Sequence, residues 1–167
     1  KGNIIAESFL LKDEQGNDQF WNRIIKFDSI KALELIIKPS DNSPHWRIGF
    51  KFSENEVFAG ARFAKNHPLL HLTKESNNTW LRIDYYDENS KHDSDELLEK
   101  YSNEKLTIKM FREKGLKDVI HFLLYDENNK GIYENSFRFV THKYTQLSAW
   151  GDGNGYEFEI KQYITPN

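Results

Sequence analysis

The chain has no cysteine at all. That excludes structural disulfides, thiolate metal centres and cysteine nucleophiles together, and it leaves the compartment open. No apolar run approaches the roughly 20 residues a membrane-spanning helix needs, so membrane insertion is not expected. Charge of one sign is lacking too: 23 Lys plus Arg stand against 26 Asp plus Glu, a net charge of -3, which gives no reason to expect a nucleic acid or an anionic bilayer as partner. There is no G-x-S-x-G elbow, Walker loop or H-E-x-x-H, and GDGNGY has the spacing of neither a P-loop nor a dinucleotide fingerprint. No cofactor is implied. Neither a Gly/Ser-rich or Pro-rich linker nor a repeat of 20 to 50 residues divides the chain, so residues 1 to 167 are expected to form one domain. It opens Lys1-Gly2-Asn3 without a starting Met or signal-peptide pattern, the look of a processed chain or of a domain that works beside another module.

What is abundant is aromatic side chain: 12 Phe, eight Tyr and four Trp, 14% of the chain, enough bulky apolar material for a core. It is distributed with a period of two. In 45 to 52, Trp46, Ile48, Phe50 and Phe52 alternate with His45, Arg47, Gly49 and Lys51, as in a strand with one face on a core. Near the end, Tyr156, Phe158 and Ile160 alternate with Glu157, Glu159 and Lys161. Further strand patterns fall at 4–11, 20–27, 29–38, 57–63, 69–73, 79–86, 106–110, 119–125 and 132–140, with polar turns such as KDEQGND, KESNN and DENNKG between most of them. Such spacing predicts an all-β sandwich or barrel, and the final strand has to pair with strands from early in the chain. The exception is 87–104, too polar and too long for a hairpin turn. There Asp93 as N-cap, Glu96 three residues on, and an apolar face of Leu97, Leu98 and Tyr101 predict one short helix.

Alternation also nominates a surface. In TWLRIDYY, Leu81, Ile83 and Tyr85 suit a core, whereas Trp80, Arg82, Asp84 and Tyr86 share the opposite face. Rings that stack on pyranose faces beside charged groups that bond hydroxyls make a sugar-binding arrangement; ordinary cross-strand pairs on a solvated face are the plainer alternative. If neighbouring strands share the sheet, Arg47, Arg62 and His71 join this row. A loop beginning at Gln146 leads into the last strand, and its WGDGNG stretch, 150–155, is a second candidate, through Trp150, Asp152 and Asn154. Its two oxygen-bearing side chains fall well short of the six to eight ligands Ca²⁺ takes, and a turn that seats Trp150 in the core is the alternative. His67 and His71 in HPLLH lack a third ligand and sit in a strand pattern, which disfavours zinc. Glu157 and Glu159, about 7 Å apart by strand rise, are compatible with a glycosidase dyad, but the ordinary wet face of a last strand is the favoured reading.

Taken together, FWNRIIKF, HWRIGFKF, TWLRIDYY and AWGDGNGYEFEIKQYI resemble the concanavalin A-like lectin/glucanase superfamily over nearly the whole chain. The resemblance implies a jelly-roll sandwich of two antiparallel sheets whose first and last strands meet, with a binding site on the concave sheet or its rim loops and carbohydrate as the usual ligand. The Glu-x-Asp-x-x-Glu run of the glucanase branch is absent, and the metal-binding Asp and Asn loop of legume lectins is not matched. The expected function is a non-catalytic recognition module for carbohydrate. A protein-interaction or oligomerisation domain of a larger regulatory protein is the first alternative, and a glycoside hydrolase or lyase the second.

Overall fold

The computed structural model describes residues 3–11, 19–26, 30–39, 45–56, 58, 67–75, 80–87, 89, 91–98, 100–113, 116–138, 143–151 and 156–164. Within them, twelve strands build two six-stranded sheets. The first sheet runs β1 (Asn3–Leu11), β12 (Tyr156–Ile164), β3 (Ile30–Pro39), β8 (Leu106–Glu113), β9 (Leu116–Tyr125), β10 (Gly131–Arg138). The second runs β2 (Gln19–Lys26), β11 (Tyr144–Gly151), β4 (Trp46–Ser53), β5 (Leu69–Lys74), β6 (Leu81–Tyr86), β7 (His92–Leu98). Every pairing is antiparallel.

Early and late strands meet, as the alternation at the C-terminal end requires. Asn3 faces Ile164 and Leu11 faces Tyr156 across β1 and β12, while Gln19 faces Gly151 and Lys26 faces Tyr144 across β2 and β11. The first two strands thus pair with the last two, one couple in each sheet.

Alternate side chains point between the sheets and are buried. From the second sheet come Trp46, Ile48, Phe50, Leu70, Leu72, Leu81, Ile83, Leu147 and Ala149; from the first come Leu33, Leu35, Ile37, Ile108, Met110, Phe122, Leu124 and Ile160. The layers touch through rings: Phe50 on β4 meets Phe122 on β9 edge to face, with centroids 6.0 Å apart at 74°. Each Leu, Ile, Phe or Met side chain among them, buried completely, contributes about 1.5–3 kcal/mol. Their sum has to exceed the entropy cost of ordering the chain.

Two expectations are corrected. Residues 92–98 are no helix: β7 pairs with β6 from Tyr86↔His92 to Leu81↔Leu98. The ladder gives β7's backbone partners along most of one side, whereas the capping box would satisfy only the ends of a short helix. Because β7 is an edge strand, polar residues are tolerated there, and Asp93 accepts a bond from Ser94 N at 2.9 Å rather than opening a helix. Tyr101, expected on the helix's apolar face, is buried against Trp46 instead, centroids 6.1 Å apart. The second correction concerns Gln146 to Gly151, read as loop. They belong to β11, which lies between β2 and β4. The expected strand at 57–63 falls almost wholly outside the described residues.

Replacing Phe50 with Ala should destabilise the fold by about 3–5 kcal/mol, the usual cost of deleting a buried ring and leaving its cavity. Urea denaturation midpoints measure it, and a loss below about 1 kcal/mol would contradict the packing described.

Candidate functional site

The side chains that do not enter the core of the second sheet lie on its outer face. Register lines them up in rows across the strands. One row runs Trp150, Arg47, Thr73, Arg82 and a second runs Ser148, Gly49, His71, Asp84. A third runs Lys51, Leu69, Tyr86, His92. Of the residues predicted from sequence, Arg47, His71, Arg82, Asp84, Tyr86 and Trp150 therefore share one face, and Trp80 joins them at the start of β6. Arg62, Asp152 and Asn154 lie outside the described residues.

Asp84 is the centre of this face. Its side chain is only 3% exposed, and three groups converge on it: His92 Nε2 at 2.6 Å from Oδ1, Arg82 Nε at 3.1 Å from Oδ2, and His71 Nε2 at 3.9 Å from Oδ2. Burial alone would push this carboxyl up. His92, His71 and Arg82 outweigh burial and hold it below the ordinary carboxylate range. The rings stack in sequence. His71 lies 5.8 Å from Tyr86 at 2°, and Tyr86 lies 4.6 Å from His92 at 10°.

Arg82 carries the network to the surface. Its Nη2 donates to Glu75 Oε1 at 3.0 Å while Nε holds Asp84, so the guanidinium is fixed from two sides. The Trp80 ring centroid lies 5.5 Å from the guanidinium carbon. At the other end of the row, the His45 imidazole meets the Trp150 indole edge to face with centroids 4.5 Å apart. Burial lowers the Arg47 pKa between them, while Asp84 and Glu75 support its charge.

The face is not uniformly wet, as the alternation alone had suggested. Lys51, His71, Thr73, Asp84 and Tyr86 are buried, whereas Trp80, Arg82, Glu75, Arg47 and Trp150 remain partly accessible. Asp84 and Tyr86 therefore lie beneath the accessible groups of this face. Trp150 stands half-buried on this outer face, so the alternative that seats it in the core does not hold. Thr73, Glu75 and His92 were missed. Alternation from His71 would have found Thr73, whose Oγ1 lies 3.1 Å from His71 Nδ1. His92 was hidden by the helical reading of its strand.

The row Ser148, Gly49, His71, Asp84 contains the three residue types of a serine-hydrolase relay, but not its geometry. His71 turns Nδ1 to Thr73 and Nε2 toward Asp84, and Gly49 on β4 separates its strand from that of Ser148. Neither ring nitrogen is presented to the serine hydroxyl, which such a relay requires. Glu157 and Glu159 lie on the other sheet. Glu159 Oε1 is 3.2 Å from Lys161 Nζ, a contact that raises the Lys161 pKa, and Glu157 is exposed opposite Lys38.

No protein-family model and no curated protein matches this sequence. Solved structures do match its fold. A legume lectin-like domain from Entamoeba histolytica superposes with a TM-score of 0.58 at 11% identity, covering 98% of this chain and 91% of that one. The Caenorhabditis elegans galectin LEC-6 gives 0.52 at 10% identity over 95% and 96%. Bacillus licheniformis β-glucanase gives 0.52 at 10% identity over 95% and 78%. The chain has the concanavalin A-like lectin/glucanase fold. At these identities the likeness concerns the sandwich and leaves the chemistry of its surface to this chain's own residues.

The histidine beside Asp84 makes the face sensitive to acid. Burial first, and then repulsion from Arg47, lowers the His71 pKa from 6.5 to about 4 against the attraction of Asp84. The unfolded chain therefore binds a proton at this residue first as pH falls, and folding stability drops between about pH 6.5 and pH 4. The loss attributable to His71 is about 3 kcal/mol at most. The depressed Asp84 adds a contribution that disappears below the ordinary carboxylate range. Urea midpoints at pH 7 and pH 4.5 should differ less in His71→Gln than in the parent protein; equal differences would contradict the assignment.

Proposed function

We propose that the protein is a non-catalytic recognition module whose ligand is a carbohydrate, held on the outer face of the second sheet at the Trp80, Arg82, Arg47 and Trp150 edge. The observation that carries this reading is the Trp80 ring beside a guanidinium locked by Glu75 and Asp84. A flat indole accepts the C–H face of a pyranose, and a fixed arginine fork meets adjacent hydroxyls without first losing side-chain freedom. Arg82 has five N–H donors, and Glu75 and Asp84 take one each. The remaining donors suit ligand oxygens.

The width of the row supports an oligosaccharide. From Trp150 to Arg82 is three strand spacings, about 14 Å. That span separates the Trp150 indole at one end from the Arg82 guanidinium, with the Trp80 ring beside it, at the other, and Arg47 and Thr73 lie between. The sandwich shared with a galectin and a legume lectin-like domain is consistent with this use of a sheet face.

Glycan-array screening followed by calorimetric titration of the best hit tests the proposal. Trp80→Ala should weaken binding by roughly tenfold or more, the loss expected for one aromatic stacking contact. Arg82→Lys should weaken it as well, because an ammonium cannot reproduce the fork. Binding to no glycan, or binding indifferent to both substitutions, would overturn it.

A further inference from the structure

The first sheet carries a concavity, whereas Asp84 and its partners lie on the second. It lies where β9 ends and β10 begins, has a volume of about 310 Å³, and is lined by Leu123, Tyr125, Gly131, Ile132, Tyr133 and Glu134. Leu123, Ile132 and the Tyr125 ring make it chiefly apolar, and its single charge is negative. No cationic side chain is among the six.

Three features of the local chain produce it. Gly131 pairs directly with Tyr125, so no side chain covers that flank of the ring; a Cβ placed on Gly131 would stand 4.0 Å from Tyr125 Cε1. A register shift between Gly131 and Tyr133 inserts Ile132 at the rim of the concavity, while Tyr133, opposite the buried Leu124, contributes to the rim but turns its ring to the core side. The preceding turn is tightly held, with Asp126 Oδ1 accepting from Asn128 N and Lys130 N at 2.9 Å each and Asn129 at φ 60°. Among the described residues, the Tyr125 ring has no ring partner and the Glu134 carboxylate no cation or donor. Tyr133 is anchored: its ring meets Phe122 with centroids 6.0 Å apart, and its hydroxyl accepts from Asn135 Nδ2 at 3.0 Å.

We propose that this concavity is a binding site for a small alkylammonium cation. A cation is favoured because the Tyr125 π-face and the Glu134 carboxylate attract positive charge, whereas the lining offers an anion no basic group. The alkyl groups suit Leu123 and Ile132, and a volume near the lower end of ordinary ligand pockets suits a compact head. A sugar fits less well. Apart from Glu134 and the Tyr125 hydroxyl, the lining side chains give no group to bond a ring of hydroxyls, and they include no amide or guanidinium. The same chemistry occurs in a free quaternary amine and in a choline lipid headgroup.

The test compares choline with 3,3-dimethyl-1-butanol, its uncharged isostere, by NMR titration of the whole protein. Choline should bind roughly tenfold more tightly than the isostere, and Glu134→Gln should remove most of that preference. Gly131 has an ordinary backbone angle and room for a side chain, so Gly131→Val should fold with an unchanged melting temperature and lose the site. Co-sedimentation with phosphatidylcholine but not phosphatidylglycerol vesicles would support the site with a lipid headgroup as its source; choline binding without co-sedimentation would support it with a free amine. Equal affinity for choline and its isostere, or choline binding that survives Gly131→Val, would overturn the proposal.

Discussion

The sandwich rests on an apolar layer between its sheets, with Phe50 against Phe122 near its middle. Filling that layer uses every second residue of the paired strands, and the period-two geometry then commits the residues between them to the outer faces. A slip of one residue in β4 would exchange Trp46, Ile48, Phe50 and Phe52 for Arg47, Gly49, Lys51 and Ser53 in the interior. The core therefore sets the register, and the register puts Arg47, Thr73 and Arg82 in one row. The chemistry of the outer face is a consequence of how the inner one is packed.

Burying Asp84 beneath that row is unfavourable by itself, since a desolvated carboxylate costs several kcal/mol. The contacts from His92, Arg82 and His71 offset the cost and turn the aspartate into an anchor. Its effect is rigidity. A surface arginine ordinarily samples many rotamers, but Arg82 is held by Asp84 and Glu75 together, with the Trp80 ring alongside. Such preorganisation lowers the entropy cost of any further contact the guanidinium makes.

The sequence was most legible where large apolar residues alternate with polar ones. HWRIGFKF and TWLRIDYY announce β4 and β6, and the same alternation finds the face shared by Arg82, Asp84 and Tyr86. It is silent where inward positions are small or polar. β11 turns Leu147, Ala149 and Gly151 inward, a pattern too faint to separate from the glycine-rich segment that follows, so a central strand reads as loop. β7 reads as helix because an edge strand needs no apolar face, and Asp93 and Glu96 mimic a capping box. With β7 misread, His92 could not be placed opposite Tyr86, and the second partner of Asp84 stayed hidden. Nor does alternation reveal burial on an outer face: Asp84 and Tyr86 look alike with Trp80 and Arg82 in a string of letters, yet only the latter pair reaches solvent.

The most direct measurement follows the indole N–H resonances of the four tryptophans while an array-identified oligosaccharide is added to isotope-labelled protein. The signals of Trp80 and Trp150 should shift together along one binding curve, while Trp46, fully buried with its Nε1 donating to Asn103 Oδ1 at 3.2 Å, stays in place as an internal reference. Saturable binding that left both Trp80 and Trp150 unmoved would contradict the account, because the ligand would then be held somewhere other than the row that Asp84 anchors.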